Sequence, residues 1–216
     1  MKNLKLNVDL LNKIREQACT GMFSDLTDGN NKVRIWNEFK STSNKNILGI
    51  IRTVDIETIK TDDENLSLGL SFLTSMSKGE VIVVKGSNDF AYFGELMANL
   101  ASRQGLSGAL IFGASRDSRA ITKMNFPLYA KSFHPVDIKG RGRVSKVDSD
   151  LLIDNYKISS LSWVFADSDG AFFFPSAMAV EILTDVEKMI DKETLILKQI
   201  SENVSGAELA NLHKGF

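Results

Sequence analysis

A single cysteine, Cys19, leaves the 216-residue chain without a partner for an intrachain disulfide or a cysteine-built metal centre. No histidine or basic residue is legible beside it, so Cys19 reads as a small buried residue and not as a nucleophile. Neither sign of charge dominates. The 26 Lys and Arg against 27 Asp and Glu give a formal net charge of -1, with no general attraction to nucleic acid or to an anionic membrane. Any nucleic-acid role is therefore expected to be indirect. No uncharged apolar run approaches the roughly eighteen residues needed to span a bilayer. From Met1 to Ile14, Lys, Asn and Asp alternate with leucine and build no signal-peptide core, so neither export nor anchoring is expected and the default compartment is the cytoplasm. Internal repeats and low-complexity tracts are absent.

What is present is the balance of an ordinary globular domain, 43% hydrophobic and 25% charged, in a length suited to one substantial core. Leu10, Leu11, Ile14 and Ala18 fall at helical spacing behind Asn7 or Asp9 as cap, which predicts a first helix from Val8 to Ala18. Asp28-Gly29-Asn30-Asn31 reads as a turn. A buried strand follows from Ile47 to Val54, then a helix from Asn65 to Met76 with Leu66, Leu70 and Leu73 on one face, then a strand from Val81 to Val84. Beyond Pro127 a short strand runs to Ala130. The stretch from Ser132 to Asp148, carrying Lys139-Gly140-Arg141-Gly142-Arg143, reads as a basic, solvent-exposed loop. Leu151 to Ile153, Tyr156 to Ile158, Leu161 to Ala166 and Ala171 to Phe174 read as short strands, with Asp167-Ser168-Asp169-Gly170 as a turn and not a calcium loop, whose ligand pattern is incomplete. After Pro175 the period changes. Val180, Leu183, Ile190, Leu197 and Ile200 mark a long helical stretch with a break expected near Asp191, and Ser205 to Glu208 has capping-box spacing for a last helix.

Residues 94 to 117 form the unit on which the rest is organised. A helix opening at Gly94 and closing at Gly105 is followed by an apolar strand, Ala109 to Phe112, and a glycine turn that delivers Arg116 and Asp117. A helix start leaves its first N–H groups without intrahelical partners and adds partial positive charge, which suits a carboxylate or an enolate oxygen. Arg116 offers a planar fork for a second oxygen pair, while Glu95 and Asp117 are hard oxygen ligands of the kind Mg²⁺ or Mn²⁺ takes. Small 2-oxo acids fit such a site.

Gly79 to Val84, Phe93 to Ala98, Gly105 to Ile111, Gly113 to Asp117 and Asp167 to Pro175, in that order, resemble the RraA-like family. That family holds 4-hydroxy-4-methyl-2-oxoglutarate aldolases with oxaloacetate decarboxylase activity, and regulators of ribonuclease activity A. Its acidic-x20-Arg-Asp signature stands here as Glu95, Arg116 and Asp117. The resemblance implies an α/β fold, a swivelling β/β/α layered domain over residues 1–175. A C-terminal helical arm over residues 176–216 is expected to belong to the same domain and to pack in a homotrimer or hexamer.

The same resemblance implies a divalent-metal-dependent carbon-carbon lyase that passes through pyruvate enolate. Asp117 would bind the metal directly and Glu95 through water, with Glu193 of a neighbouring subunit adding a second water contact. Arg116 would grip the pyruvyl group, and the Gly94-Glu95-Leu96-Met97 backbone would take its carboxylate. The alternative is a non-catalytic protein that inhibits ribonuclease E-type RNA degradation. His134 could act as a general acid, but a structural or peripheral place is the expectation. The chain departs from the family at Phe112, where an Asp is usual, and at Ser160-Leu161-Ser162.

Overall fold

Asn7 caps the first helix, Val8–Gln17 (α1), its side-chain oxygen accepting the Leu10 N–H at 2.8 Å. The structure, a computed structural model, describes residues 6–27, 30, 33–59 and 66–214. The turn read at residues 28–31 therefore lies outside the described residues except for Asn30. A second helix, Thr20–Thr27 (α2), precedes three strands, Arg34–Trp36 (β1), Lys40–Ser41 (β2) and Ile47–Thr58 (β3). Helix Leu66–Ser75 (α3), strands Val81–Lys85 (β4) and Ala91–Phe93 (β5), and helix Glu95–Gln104 (α4) come next. Strand Gly108–Ser115 (β6), helix Ser118–Met124 (α5) and strands Leu128–Phe133 (β7) and Gly142–Val147 (β8) complete the middle of the chain. Four strands follow, Leu151–Ile153 (β9), Tyr156–Ile158 (β10), Trp163–Ala166 (β11) and Ala171–Phe174 (β12). A 3₁₀ turn then leads into the long helix Ala179–Ser201 (α6) and the short Gly206–His213 (α7).

Among the described residues ten strands share one mixed sheet whose main path runs β1-β12-β11-β3-β4-β6-β7-β2, with β5 on β6 and β8 on β3. The strand β3 is the hinge of this path: Ile47 to Ile50 pair with β11, and Ile51 to Asp55 pair with β4. It thereby joins two sheet halves that face each other. Strand periodicity of two then sorts neighbouring residues into different cores. Ile82, Val84, Ala109 and Ile111 pack toward α3, α4 and α5. Their neighbours Val81, Val83, Leu110 and Phe112 face inward, against Val164 and Phe173 of the other half. Phe165, Phe172 and Phe174 turn the opposite way, toward α1, α2 and α6. The result is helices, sheet, sheet and helices in layers, the α/β architecture expected, with the C-terminal helix packed on its outer layer through Ile182, Leu183, Val186 and Ile190.

Several expectations need correction. The segment from 132 to 148 is not a loop throughout, because Gly142–Val147 pairs antiparallel with β3. The strand was hidden by its outward charges. Val144 is buried, and a Cβ at Gly142 would lie 2.6 Å from the Phe90 ring, so only glycine fits there. The long helix α6 runs unbroken through Asp191. Cys19 is exposed, not buried. On α3 Leu73 is buried as expected, but Leu70 is exposed and Phe72 and Met76 complete the buried face; the Leu66 side chain lies outside what is described. Phe112 sits in an aromatic cluster with Trp36, Phe39 and Phe173, so the departure at this position fills core space between the sheet halves. Among the described residues no helix is long and apolar enough to cross a membrane.

The turn between β11 and β12 ties the outer layer together. Asp167, 6% exposed, accepts the Thr20 N–H at 2.7 Å and the Thr20 hydroxyl at 2.8 Å, and also the Asp169 and Gly170 N–H groups. It thus caps its own turn and the start of α2 at once. Asp167→Ala strands four donors, and the expected loss is about 2–4 kcal/mol in a denaturant titration; a loss under about 1 kcal/mol would show that the turn and α2 are not coupled through this carboxylate.

Candidate active site

Three adjacent parallel strands, β5, β6 and β7, end side by side. Gly94 and Glu95 follow the first, Arg116 and Asp117 the second, His134 the third. The register is fixed locally. The Arg116 N–H donates to Phe93 O at 3.0 Å, the Ser115 hydroxyl donates to the same oxygen at 2.8 Å, and the His134 N–H donates to Ser115 O at 2.8 Å. Within β6 the pairing slips between Ile111 and Ala114, where Gly113 has a φ of 153°. A Cβ there would stand 2.6 Å from Ser87 O, so the bulge is a glycine position. Downstream of it the strand continues to Ser115, so that Arg116 stands just past its carboxyl end.

The two charged ends read from the sequence do meet. The Glu95 N–H, first of the α4 donors, reaches Asp117 Oδ2 at 3.1 Å, and Arg116 Nε lies 3.4 Å from the same oxygen. Gly94 is in the way of nothing only because it has no side chain: a Cβ would lie 2.6 Å from Asp117 Oδ2 and 2.9 Å from Arg116 Cγ. Asp117 itself is left-handed, φ 58° and ψ 32°, and starts α5 through its carbonyl, which accepts from Ala120 and Ile121. A non-glycine residue held in that region stores about 1–2 kcal/mol of strain. Met97 is buried while Leu96 is 78% exposed, so the first turn of α4 presents its backbone with one side pinned.

An open cavity of about 1130 Å³ is lined by Glu95, Arg116, Asp117, Arg119, Lys123 and His134, together with Phe133 and Pro135. His134 is thus part of the wall and not peripheral to it. Its Nδ1 accepts the Val136 N–H at 3.2 Å, which places the proton of a neutral imidazole on Nε2. Sequence reading also passed over Arg119 and Lys123. Both stand on α5 at helical i, i+4 spacing and neither has an ion-pair partner among the described residues. Their spacing behind Asp117 was the signal that could have found them. A third residue, Asp137, forms an ion pair with Arg116 Nη1. It lay in the segment taken for a loop, and no spacing rule links it to Arg116. Glu193 is exposed on α6 and does not line this cavity.

Among the described residues no group of three or more His, Cys, Asp or Glu is arranged to hold a metal. The donors at hand are Glu95 and Asp117. Asp117 Oδ1 and the Glu95 carboxylate have no hydrogen-bond or ion-pair partner among the described residues. One or two free carboxylates beside a roomy cavity fit Mg²⁺, which keeps several waters and seldom takes an all-protein cage. They do not make a closed structural site of the zinc type.

A family model described as Aldolase/RraA matches residues 22–172, and the chain belongs to the RraA-like family. A protein of Halorhodospira halophila named as a candidate 4-hydroxy-4-methyl-2-oxoglutarate aldolase is 30% identical over 117 residues, 53% of this chain and 70% of that one. A solved structure of the RNA-processing inhibitor RraA from Thermus thermophilis superposes with a TM-score of 0.59 at 26% identity, covering 71% of this chain and 92% of the other. An uncharacterized protein from Pseudomonas syringae pv. tomato superposes over 94% of this chain and 98% of its own, with a TM-score of 0.78 at 22% identity, which speaks to the fold alone.

Gly94→Ala drives a methyl group against Asp117 and Arg116 and is expected to cost about 1–3 kcal/mol of stability. In the double variant Gly94→Ala/Asp117→Ala the nearest clash is gone, so thermal denaturation should show recovery of part of that loss. Strict additivity of the two substitutions would mean that the glycine does not serve the close approach.

Proposed function

We propose that the protein is a divalent-cation-dependent carbon-carbon lyase acting on 2-oxo acids, by retro-aldol cleavage of a 4-hydroxy-2-oxo acid, decarboxylation of oxaloacetate, or both. The observation that carries the reading is the convergence of a helix N-terminus, a guanidinium and two carboxylates on one open cavity. Relatives named for aldolase chemistry support it.

In this reading the Leu96 and Met97 N–H groups, at the start of α4, donate to the C1 carboxylate. Arg116 donates to the 2-oxo oxygen, where negative charge grows as the C3–C4 bond breaks and its electron pair becomes the enolate of pyruvate. For a 4-hydroxy acid the hydroxyl proton must leave as C4 becomes a carbonyl, and C3 must then be protonated. Glu95, exposed and with no partner for its side-chain carboxylate among the described residues, would carry that proton through water. Asp117, with Glu95, would hold Mg²⁺ or Mn²⁺, which when bound withdraws electrons from the 2-oxo group as a Lewis acid.

Arg119 and Lys123 give the wall an excess of positive charge and support a substrate whose departing half carries a carboxylate. The exposed end of α6 and α7, with Leu197 at 64%, Ile200 at 51% and Leu212 at 58% exposure, supports self-association as a homotrimer or hexamer in which Glu193 reaches a neighbour's site. A cytoplasmic location goes with this reading. A second reading, an inhibitor of ribonuclease E-type RNA degradation, is supported by the likeness to the Thermus protein; inhibition of such a ribonuclease by a preparation with no lyase activity would favour it.

The test is pyruvate release from oxaloacetate and from 4-hydroxy-2-oxo acids, with mass measured by light scattering. EDTA should abolish release and Mg²⁺ or Mn²⁺ should restore it; turnover that survives EDTA above the metal-catalysed background rules the reading out. Arg116→Lys keeps the charge but loses the planar fork, and turnover should drop by between about thirty- and a thousand-fold with Mn²⁺ affinity nearly intact. Asp117→Asn should instead weaken Mn²⁺ binding and be partly rescued by excess metal. Arg119→Ala and Lys123→Ala, which remove exposed charges, should raise KM for oxaloacetate by only about three- to tenfold each. Light scattering should return three chains or a multiple of three, and a monomer would remove Glu193 from the site.

A further inference from the structure

Arg116 is held from behind. Its Nη1 is paired with the Asp137 carboxylate, its Nε faces Asp117 Oδ2 at 3.4 Å, and its Nη2 has no partner among the described residues. Asp137 is itself fixed. Ala91 N–H donates to Val136 O at 2.8 Å and Ile138 N–H donates to Ala91 O at 3.1 Å, so the backbone on both sides of Asp137 is pinned to β5. Asp137 Oδ1 accepts the Lys139 N–H at 2.8 Å, and its carbonyl accepts from the Arg141 guanidinium at 3.4 Å. The backbone of Arg116 hangs on the same strand, through Phe93 O. Both members of the pair are thus referenced to β5, and Asp137 is not among the residues lining the cavity.

We propose that Asp137 is a positioning residue: it clamps Nη1 of the Arg116 guanidinium while Asp117 faces Nε, and so leaves Nη2, without a partner among the described residues, as the free donor of this cavity-lining side chain. The pair is too exposed to matter for folding. Arg116 is 32% and Asp137 43% exposed at the side chain, and solvent-screened ion pairs of this kind contribute little to stability. Orientation is another matter. Arginine has many rotamers, and a free guanidinium would spend most of its time away from a bound 2-oxo acid. A misplacement of about 1 Å can cost on the order of a hundredfold in rate. Asp137 therefore acts on the rate through Arg116 and touches no reacting atom. This kinetic consequence rests on the lyase reading, whereas the clamp itself does not.

The experiment uses the full-length protein with Mg²⁺ and the variants Asp137→Asn, Asp137→Ala, Arg116→Lys and Asp137→Ala/Arg116→Lys. Nitrogen-15 NMR of the arginine Nε–H groups reads the clamp directly, the Arg116 signal being the one lost in Arg116→Lys. In the wild type that signal should be sharp and displaced from the crowded solvent-exposed set, and in Asp137→Ala it should collapse into that set. Decarboxylation of oxaloacetate should lose about ten- to a hundredfold in kcat in Asp137→Ala, with KM changed less than about threefold. Asp137→Asn, which keeps an acceptor oxygen, should fall between the two, and thermal midpoints should stay together. In the Arg116→Lys background the Asp137→Ala change should add little. An unmoved Arg116 signal in Asp137→Ala overturns the proposal, as does a loss of equal size in both backgrounds, which would mean that Asp137 acts through the fold. If the wild type releases no pyruvate from any 2-oxo acid, the lyase reading fails and the Arg116 signal still decides the clamp.

Discussion

The Asp117 carboxylate lies against a helix start that has no side chain in front of it, and most of the site follows from that contact. Gly94 allows Asp117 Oδ2 to reach the first N–H of α4, and Asp117 opens α5 with its own carbonyl. The N-terminus of α4 therefore meets the negative charge directly, while α5 takes only the Asp117 carbonyl. The partial positive charge of α4 and the nearby Arg116 offset the left-handed backbone that brings Asp117 there. Such strain is found where the surrounding structure overdetermines a residue, and here three parallel strands do so.

The position at the carboxyl ends of β5, β6 and β7 is the general solution for parallel sheets, where helices return behind the strands and a crevice opens at their ends. What is particular to this chain is how rigidly the crevice is backed. Beneath it, the inward residues of β4 and β6 meet the second sheet half through Phe112, Phe173 and Trp36. On the outer side, Ile121 of α5 and Phe126 just after it share a core with Met97, Ala98 and Ala101 of α4. A large side chain at Phe112 thus belongs to the packing under the site and not to its chemistry.

The charges divide by task. Arg116 is spent partly on Asp117 and Asp137, so its remaining Nη2 is a directed donor and not a diffuse cation. Arg119 and Lys123 are exposed and have no ion-pair partner among the described residues, so their charge on the cavity wall is not offset by one. Glu95 and Asp117 keep oxygen atoms uncommitted, the condition for holding a hard cation with few protein ligands.

Local chemistry in the sequence was enough for the elements that satisfy their own backbone. Asn7 and Ser205 do cap α1 and α7, Gly105 ends α4 in a left-handed turn, and Asp167 to Gly170 does turn between two strands. The apposition of Glu95, Arg116 and Asp117 was legible because a single helix-turn-strand unit carries all three. Long-range pairing was not. The strand β8 is recognised by β3, far away in the chain, and its alternate charged residues concealed it. The tie from Asp137 to Arg116 likewise exists only because the backbone around Asp137 hydrogen-bonds to Ala91. Sequence determined which groups could do the chemistry, since that depends on residue type and on neighbours within a turn or two. The tertiary structure decided how those groups are aimed, because aim is set by strands that meet across the sheet and leave no periodic trace in the chain.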